Sequence, residues 1–200
     1  MWNNKIETMV FLLDTQGVPR DSRSYWSELL LRYGLRQLGF TGPLEIERGP
    51  YGKPFLVGTK TPFFSISHSA SLLACGIGKE EVGLDLQRVR KDVKEAIDTA
   101  LSEEERGTFY RLSGDERWKY FAKCWAIKES YVKYLGTGLS VDPAKILWTE
   151  DGGVFAQGRK PGCYGEIKIG RDYVSIICAE RPLYPKLVWL TDKQNQMLYR

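Results

Sequence analysis

Residues 124–136 read CWAIKESYVKYLG, and three of them do not suit the company they keep. With about 100° of turn per residue, Phe121, Trp125, Val132 and Leu135 share one helical stripe, and Lys128 falls inside it. Glu129 and Lys133 lie one turn apart on the border of that stripe, on the flank of Ala122 and Ala126. Small residues beside a charged pair leave room for a bulky group. Two readings are open. A Glu–Lys pair at i and i+4 stabilises a helix by about 0.2–0.5 kcal/mol, and lysine stems run along apolar surfaces with their heads in water. Alternatively, a carboxylate and two ammonium groups at the edge of a core handle a cation and an anion.

A second carboxylate bears on that choice. In VGLDLQRV (82–89) the residues alternate, so Val82, Leu84 and Leu86 face one side and Gly83, Asp85 and Gln87 the other. Asp85 and Glu129 both stand beside glycine or alanine on apolar elements. Converging, they would suit a hard cation such as Mg²⁺, which takes oxygen ligands and keeps waters and a phosphate oxygen. Lys133 would then meet the phosphate as a point charge. The competing reading is that both carboxylates are structurally paired. His68, the one histidine, sits in a polar break, SHSAS, after an apolar run. Lys53 is held between Gly52 and Pro54 in YGKP, which reads as a rigid turn.

The elements that must hold these residues follow from periodicity. Asp21 or Ser22 caps a helix to about Leu38, with Trp26, Leu29, Leu30 and Tyr33 on its apolar side and Gly39 after its end. The Gly/Pro-rich stretch 41–62 reads as loops around a short strand. FFSI, LLACGI and VGLDLQRV read as three strands. Helical sequence runs from Lys91 through LSEEERGTFYRL to Gly136. Three β segments follow, near Ile146–Trp148, Gly165–Ile169 and Tyr173–Ala179. The halves, 1–90 and 91–200, share the plan of helix and antiparallel meander, and the echo of IGKE (77–80) in IGRD (169–172) fits a duplication. The fold class expected is α+β: a pseudo-dimer of two similar halves packed as one unit, each a helix on a small antiparallel sheet.

Composition narrows the class of protein. Hydrophobic residues at 42% and charged residues at 27% are ordinary for a globular chain of 200 residues. Four scattered cysteines without a CxxC pair argue for free thiols in a reducing, cytoplasmic setting. The N-terminal apolar run is too short for a signal peptide or a span, so no membrane role is expected. A net charge of +4 favours anionic partners. The cations concentrate at Arg20, Arg23, Arg32 and Arg36, and at Arg88, Arg90, Lys91 and Lys94. Nucleic-acid binding would need exposed aromatic platforms beside them, whereas most Trp and Tyr fall at core spacing.

YGKP (51–54 with Tyr51), FSISHS (64–69), VGLDLQ (82–87) and WAIKESYVKYLGTGLS (125–140) occur in this order. Together they resemble the 4′-phosphopantetheinyl transferase superfamily, in its larger surfactin-synthetase-activating type built of two similar halves. The resemblance implies a Mg²⁺-dependent enzyme that moves the phosphopantetheine arm of coenzyme A onto a serine of an acyl or peptidyl carrier protein and releases adenosine 3′,5′-bisphosphate. It implies Asp85 and Glu129 as Mg²⁺ ligands. Gln87 stands at a third position where many members carry Glu; it offers an acceptor without charge. Lys133 would contact the coenzyme A phosphates, Lys128 would be the coenzyme A-binding lysine beside the metal glutamate, and Arg23, Lys53 and His68 would hold the adenine end and 3′-phosphate. Glu105 would help to deprotonate the carrier serine, although LSEEE is also a capping box with Ser102 as N-cap. The partners expected are coenzyme A and an acidic carrier, the enzyme a monomer, and the alternative a non-catalytic coenzyme A-binding module.

Overall fold

The computed structural model describes residues 8–16, 22–42, 44–59 and 61–190, so Arg20 and Asp21 lie outside the described residues. In chain order the elements are β1 (Met9–Asp14), α1 (Arg23–Gln37), β2 (Ile46–Arg48), β3 (Pro54–Leu56), β4 (Phe63–Ser69), β5 (Leu72–Gly78), β6 (Val82–Arg88), α2 (Lys94–Ala100), α3 (Glu103–Arg111), α4 (Gly114–Leu135), β7 (Leu147–Trp148), β8 (Gly153–Phe155), β9 (Gly162–Glu166), β10 (Tyr173–Ala179) and β11 (Lys186–Trp189). Two sheets dominate, ordered β11-β1-β5-β4 and β6-β10-β9-β8-β7, with β2 and β3 forming a separate hairpin. All strand pairs are antiparallel except β1 with β11. The α+β class holds.

Sheet membership does not follow a division at residue 90. β6 leaves the first half to pair with β10, Asp85 opposite Ile176. β11 returns from the second half to lie along β1, Met9 opposite Lys186. Each long helix covers one sheet. α1 buries Trp26, Leu30, Leu31 and Leu35 against Phe11, Leu73, Cys75 and Ile77, a face turned slightly from the one expected, with Leu29 and Tyr33 only partly covered. α4 buries Ala126, Ile127, Tyr131 and Tyr134 against Ile176, Cys178 and Val154. Between the sheets lies a third apolar layer, Val10, Leu12, Leu72 and Ala74 against Val82, Leu84, Leu86 and Ile177. β5 is therefore covered on both faces and buried throughout, which is why it reads as a continuous apolar run and not an alternation.

Three differences from the sequence reading have simple causes. The polar break expected at SHSAS is strand as far as Ser69, because β4 keeps its full register with β5, His68 opposite Leu73. Five strands follow α4 where three were expected; β8 is only three residues long and β11 pairs with the distant β1, so neither has a strong local period. Ala122 and Ala126 do not leave space for a ligand. They are buried in the core under α4, where small side chains let the helix approach the sheet. At the other end of α1, Ser22 occupies the N-cap position without making a side-chain cap bond.

Candidate active site

α4 packs tightly on β6 at Gly83. A Cβ at Gly83 would lie 1.9 Å from the Ser130 carbonyl oxygen and 2.3 Å from the Tyr134 nitrogen, so only glycine permits this contact. One strand position further along the same face, Asp85 meets the last turns of α4. Its Oδ1 accepts from Lys133 Nζ at 2.7 Å and from the Ser67 hydroxyl at 2.8 Å, and its Oδ2 accepts from the Gln87 amide at 2.7 Å. Asp85 is 2% exposed, while the Lys133 side chain is 28% exposed and opens on a cleft. Glu129 lines the same cleft. Burial and, after it, the neighbouring Asp85 carboxylate push the Glu129 pKa up, with Lys133 pulling it back.

The cleft has a volume of about 660 Å³ and lies between α4, β4, the start of α1 and the β2–β3 hairpin. Arg23, Arg48, Lys53, His68 and Lys133 all line it. Arg23, at the first turn of α1, donates to the Ala70 carbonyl at 3.2 Å. His68 points into the cleft from β4; its pKa is lowered by partial burial first, then by the Arg23 and Lys133 cations, against the pull of Asp85. The two cations that add to the effect of burial, Arg23 and Lys133, make the surroundings of His68 suit an anion. Lys53 is not a free cation at the tip of a turn. Its ammonium bonds Glu81 at 2.5 Å and the Val82 carbonyl at 3.2 Å, and its stem reaches Gly136 at the end of α4. The hairpin is thereby tied to the cleft wall.

Lys128 and Glu105 pair with each other, away from the cleft. Lys128 is 1% exposed, and its ammonium donates to Glu105 Oε2 at 2.5 Å and to the Ala100 carbonyl at 2.8 Å. Glu105 Oε2 also accepts from the Ser102 backbone at 2.6 Å, completing the capping box. Its Oε1 accepts from Trp148 Nε1 at 2.6 Å. Neither residue lines the cleft. Both oxygens of Glu105 are held by donors, one of them the Lys128 ammonium, which is turned toward α3.

Sequence reasoning missed Ser67 and Trp148. Trp148 carries no local sign of its partner. The serines had one: Ser65, Ser67 and Ser69 alternate along β4. Their hydroxyls accept from the backbone N–H groups of Leu84, Leu86 and Arg88 at 2.9, 3.1 and 2.9 Å. The free edge of β6 is thus satisfied by side chains instead of a backbone ladder.

The fit to a divalent cation rests on Asp85 and Glu129. Among the described residues no group of three or more His, Cys, Asp or Glu side chains is arranged around a common point. Two carboxylates suffice for a cation that keeps waters and substrate oxygens. Asp85 uses three of about four acceptor positions, which leaves room for a further partner. Burial first, and the Asp85 carboxylate after it, raise the Glu129 pKa, and a cation bound beside both carboxylates would offset each effect. Gln87 turns its amide N–H to Asp85, so it orients that carboxylate. The donor set fits a hard cation.

Residues 81–177 match the model of the 4′-phosphopantetheinyl transferase superfamily. A 4′-phosphopantetheinyl transferase of Bacillus subtilis is 26% identical over 155 residues, which are 75% of this chain and 67% of that protein. The 4′-phosphopantetheinyl transferase Sfp of Bacillus subtilis strain 168 is 27% identical over 68% of this chain and 63% of its own. The 4′-phosphopantetheinyl transferase gsp of Aneurinibacillus migulanus is 33% identical over 64% of this chain and 54% of its own. The chain is thus similar, over just under half of its length, to the 4′-phosphopantetheinyl transferase superfamily, and the relatives it resembles are of the Sfp-like type, of whose lengths the matched part spans between 54% and 67%.

Proposed function

We propose that this protein transfers the 4′-phosphopantetheine arm of coenzyme A to a serine of an acyl or peptidyl carrier protein, in the cleft between α1 and α4. The observation that carries the reading is the meeting of the buried Asp85 with Lys133, beside Glu129, at the wall of a cleft whose other basic residues are Arg23, Arg48, Lys53 and His68. A pyrophosphate with an additional 3′-phosphate is a dense anion and needs several cations spread along it. Arg23 and His68 bind its distal phosphate, and the hairpin held by Lys53 closes over the base. Asp85 and Glu129 hold Mg²⁺, which when bound neutralises pyrophosphate charge. Lys133, freed from Asp85 in part, turns to the phosphate on which the serine oxygen attacks. The new P–O bond forms to the serine, the P–O bond to adenosine 3′,5′-bisphosphate breaks, and the serine proton leaves to water or to Glu129.

This chemistry is mostly positioning and charge neutralisation, which suits a site without a covalent nucleophile. The carrier is acidic. Arg88 and Lys94 have no ion pair among the described residues, whereas Arg90 and Lys91 are paired with Asp92 and Asp115. The experiment is incubation with coenzyme A, Mg²⁺ and a panel of apo carriers, read by mass spectrometry for the added arm. Retained coenzyme A binding with no carrier modified would favour a non-catalytic coenzyme A-binding module. Full transfer in EDTA would remove the cation from the reading.

A further inference from the structure

We propose that Ser67 is a positioning residue that fixes the Asp85 carboxylate for its work in the cleft, an inference that rests on the transferase reading above. The argument is one of hydrogen-bond capacity. A serine hydroxyl has one proton to give and two lone pairs to accept with. At Ser67 both lone pairs are engaged: by the Leu86 backbone N–H at 3.1 Å and by Lys133 Nζ at 3.1 Å. The single proton is therefore directed to Asp85 Oδ1, 2.8 Å away. Lys133 donates to that same oxygen at 2.7 Å. One buried oxygen atom thus joins β4, β6 and α4, which come from both halves of the chain, at the point where carboxylate and ammonium meet.

The neighbouring serine shows that the arrangement is not a by-product of the strand contact. Ser65 is as buried as Ser67, at 4% against 5% exposure, and accepts from the Leu84 N–H at 2.9 Å. It therefore does the same structural task at the β4–β6 seam without a bond to Asp85. Groups that hydrogen-bond a cation-binding carboxylate set its orientation, and their loss typically costs 10–100-fold in cation affinity or activity. Ser67, unlike Ser65, is in that position.

The test pairs Ser67→Ala with Ser67→Cys, which is the nearest in shape but slightly larger and offers only a weak donor, and uses Ser65→Ala to measure the cost of the seam bond alone. In EDTA, urea midpoints are measured for each variant with and without Asp85→Asn. The effects of Ser67→Ala and Asp85→Asn should be non-additive, and those of Ser65→Ala and Asp85→Asn additive. Additive effects at Ser67 overturn the proposal, whatever the enzyme does. In the transfer assay, Ser67→Cys should lower kcat by about 10–100-fold with the KM for coenzyme A little changed. The Mg²⁺ concentration that raises Tm by half its maximum should rise in parallel. Parental kcat and parental Mg²⁺ dependence in a Ser67→Cys protein that shows the coupling would also overturn the positioning role. If the parent transfers nothing to any carrier, the functional reading fails, while the midpoint cycle still decides whether Ser67 holds Asp85.

Discussion

α4 sends two lysines to two buried carboxylates, and the two pairs are built differently. Lys128 and Glu105 are sealed, with side-chain exposures of 1% and 9%, and every oxygen of the carboxylate has a donor. Lys133 and Asp85 are half open: the acid is 3% exposed, but the ammonium, at 28%, borders the cleft. The first pair ties α4 to α3 and to Trp148. The second ties α4 to β6 and β4, and beside it stands a carboxylate, Glu129, that has no hydrogen bond among the described residues. A charge pair closed on all sides is costly to break, because either partner alone is left as a buried, unpaired charge. A pair with one side open can exchange partners, and that is the property a site for an anion and a cation needs.

The largest effect expected from breaking this contrast is at the sealed pair. Lys128→Met leaves Glu105 buried without its cation and should cost about 3–5 kcal/mol, read from urea unfolding. Lys133→Met leaves Asp85 with two donors and an opening to the cleft, so its cost should be nearer 1–3 kcal/mol. Added Mg²⁺ should restore stability to the second variant and not to the first. Equal losses, or rescue of both, would erase the distinction. Glu105→Gln belongs with the sealed pair. Were Glu105 only a cap, Gln would replace it almost freely; with Lys128 and Trp148 both donating to it, the amide must turn an N–H toward a donor, and stability should fall.

Next in size is the close approach that holds the open pair together. Gly83→Ala would place a methyl group against α4 backbone at 1.9 Å, and the helix must move. A cost of about 3 kcal/mol is expected, with the transfer rate falling further than stability alone explains, because Lys133 and Glu129 retreat from Asp85. Gly39→Ala, at a positive φ with open space around it, supplies a control whose loss should be confined to stability.

A smaller effect is the pH dependence contributed by Glu129. Its folded pKa is raised, so the folded protein binds this proton more tightly than the unfolded chain does. The contribution to stability is present in full below the ordinary glutamate value and is lost as pH rises through the raised value. In EDTA, stability should fall with pH across that window, and Glu129→Gln should flatten the fall. An unchanged slope in the variant would assign the dependence to another group.

The smallest effect expected is at His68, whose pKa is lowered from 6.5. Its sign is the reverse: the contribution to stability is present above 6.5 and lost as pH falls through the lower folded value. A phosphate arriving beside His68 raises that pKa again, so coenzyme A binding just below neutral pH should take up protons. Calorimetry in two buffers of different ionisation enthalpy measures this, and His68→Asn should remove it. Proton uptake that survives the substitution would move the 3′-phosphate elsewhere.

The order and spacing of the chemistry-bearing residues were legible in the sequence. Alternation in 82–88 assigned Asp85 to the face opposite Leu84 and Leu86, and helical period set Glu129 and Lys133 on one flank; β6 and α4 carry them so. Both results depend only on local backbone geometry, which repeats every two or 3.6 residues. The partners of those residues were decided by the tertiary structure. Lys128 and Lys133 differ by five positions in one helix, yet one finds Glu105 and the other Asp85, and no local period separates a sealed cation from an open one. Ser67 reaches Lys133 across 66 residues of chain, and β6 and β11 change sheets by pairings with distant strands. A hydroxyl or a short strand has no periodic pattern that names its partner. Only packing, which brings β4, β6 and α4 within hydrogen-bonding distance of one oxygen atom, makes that choice.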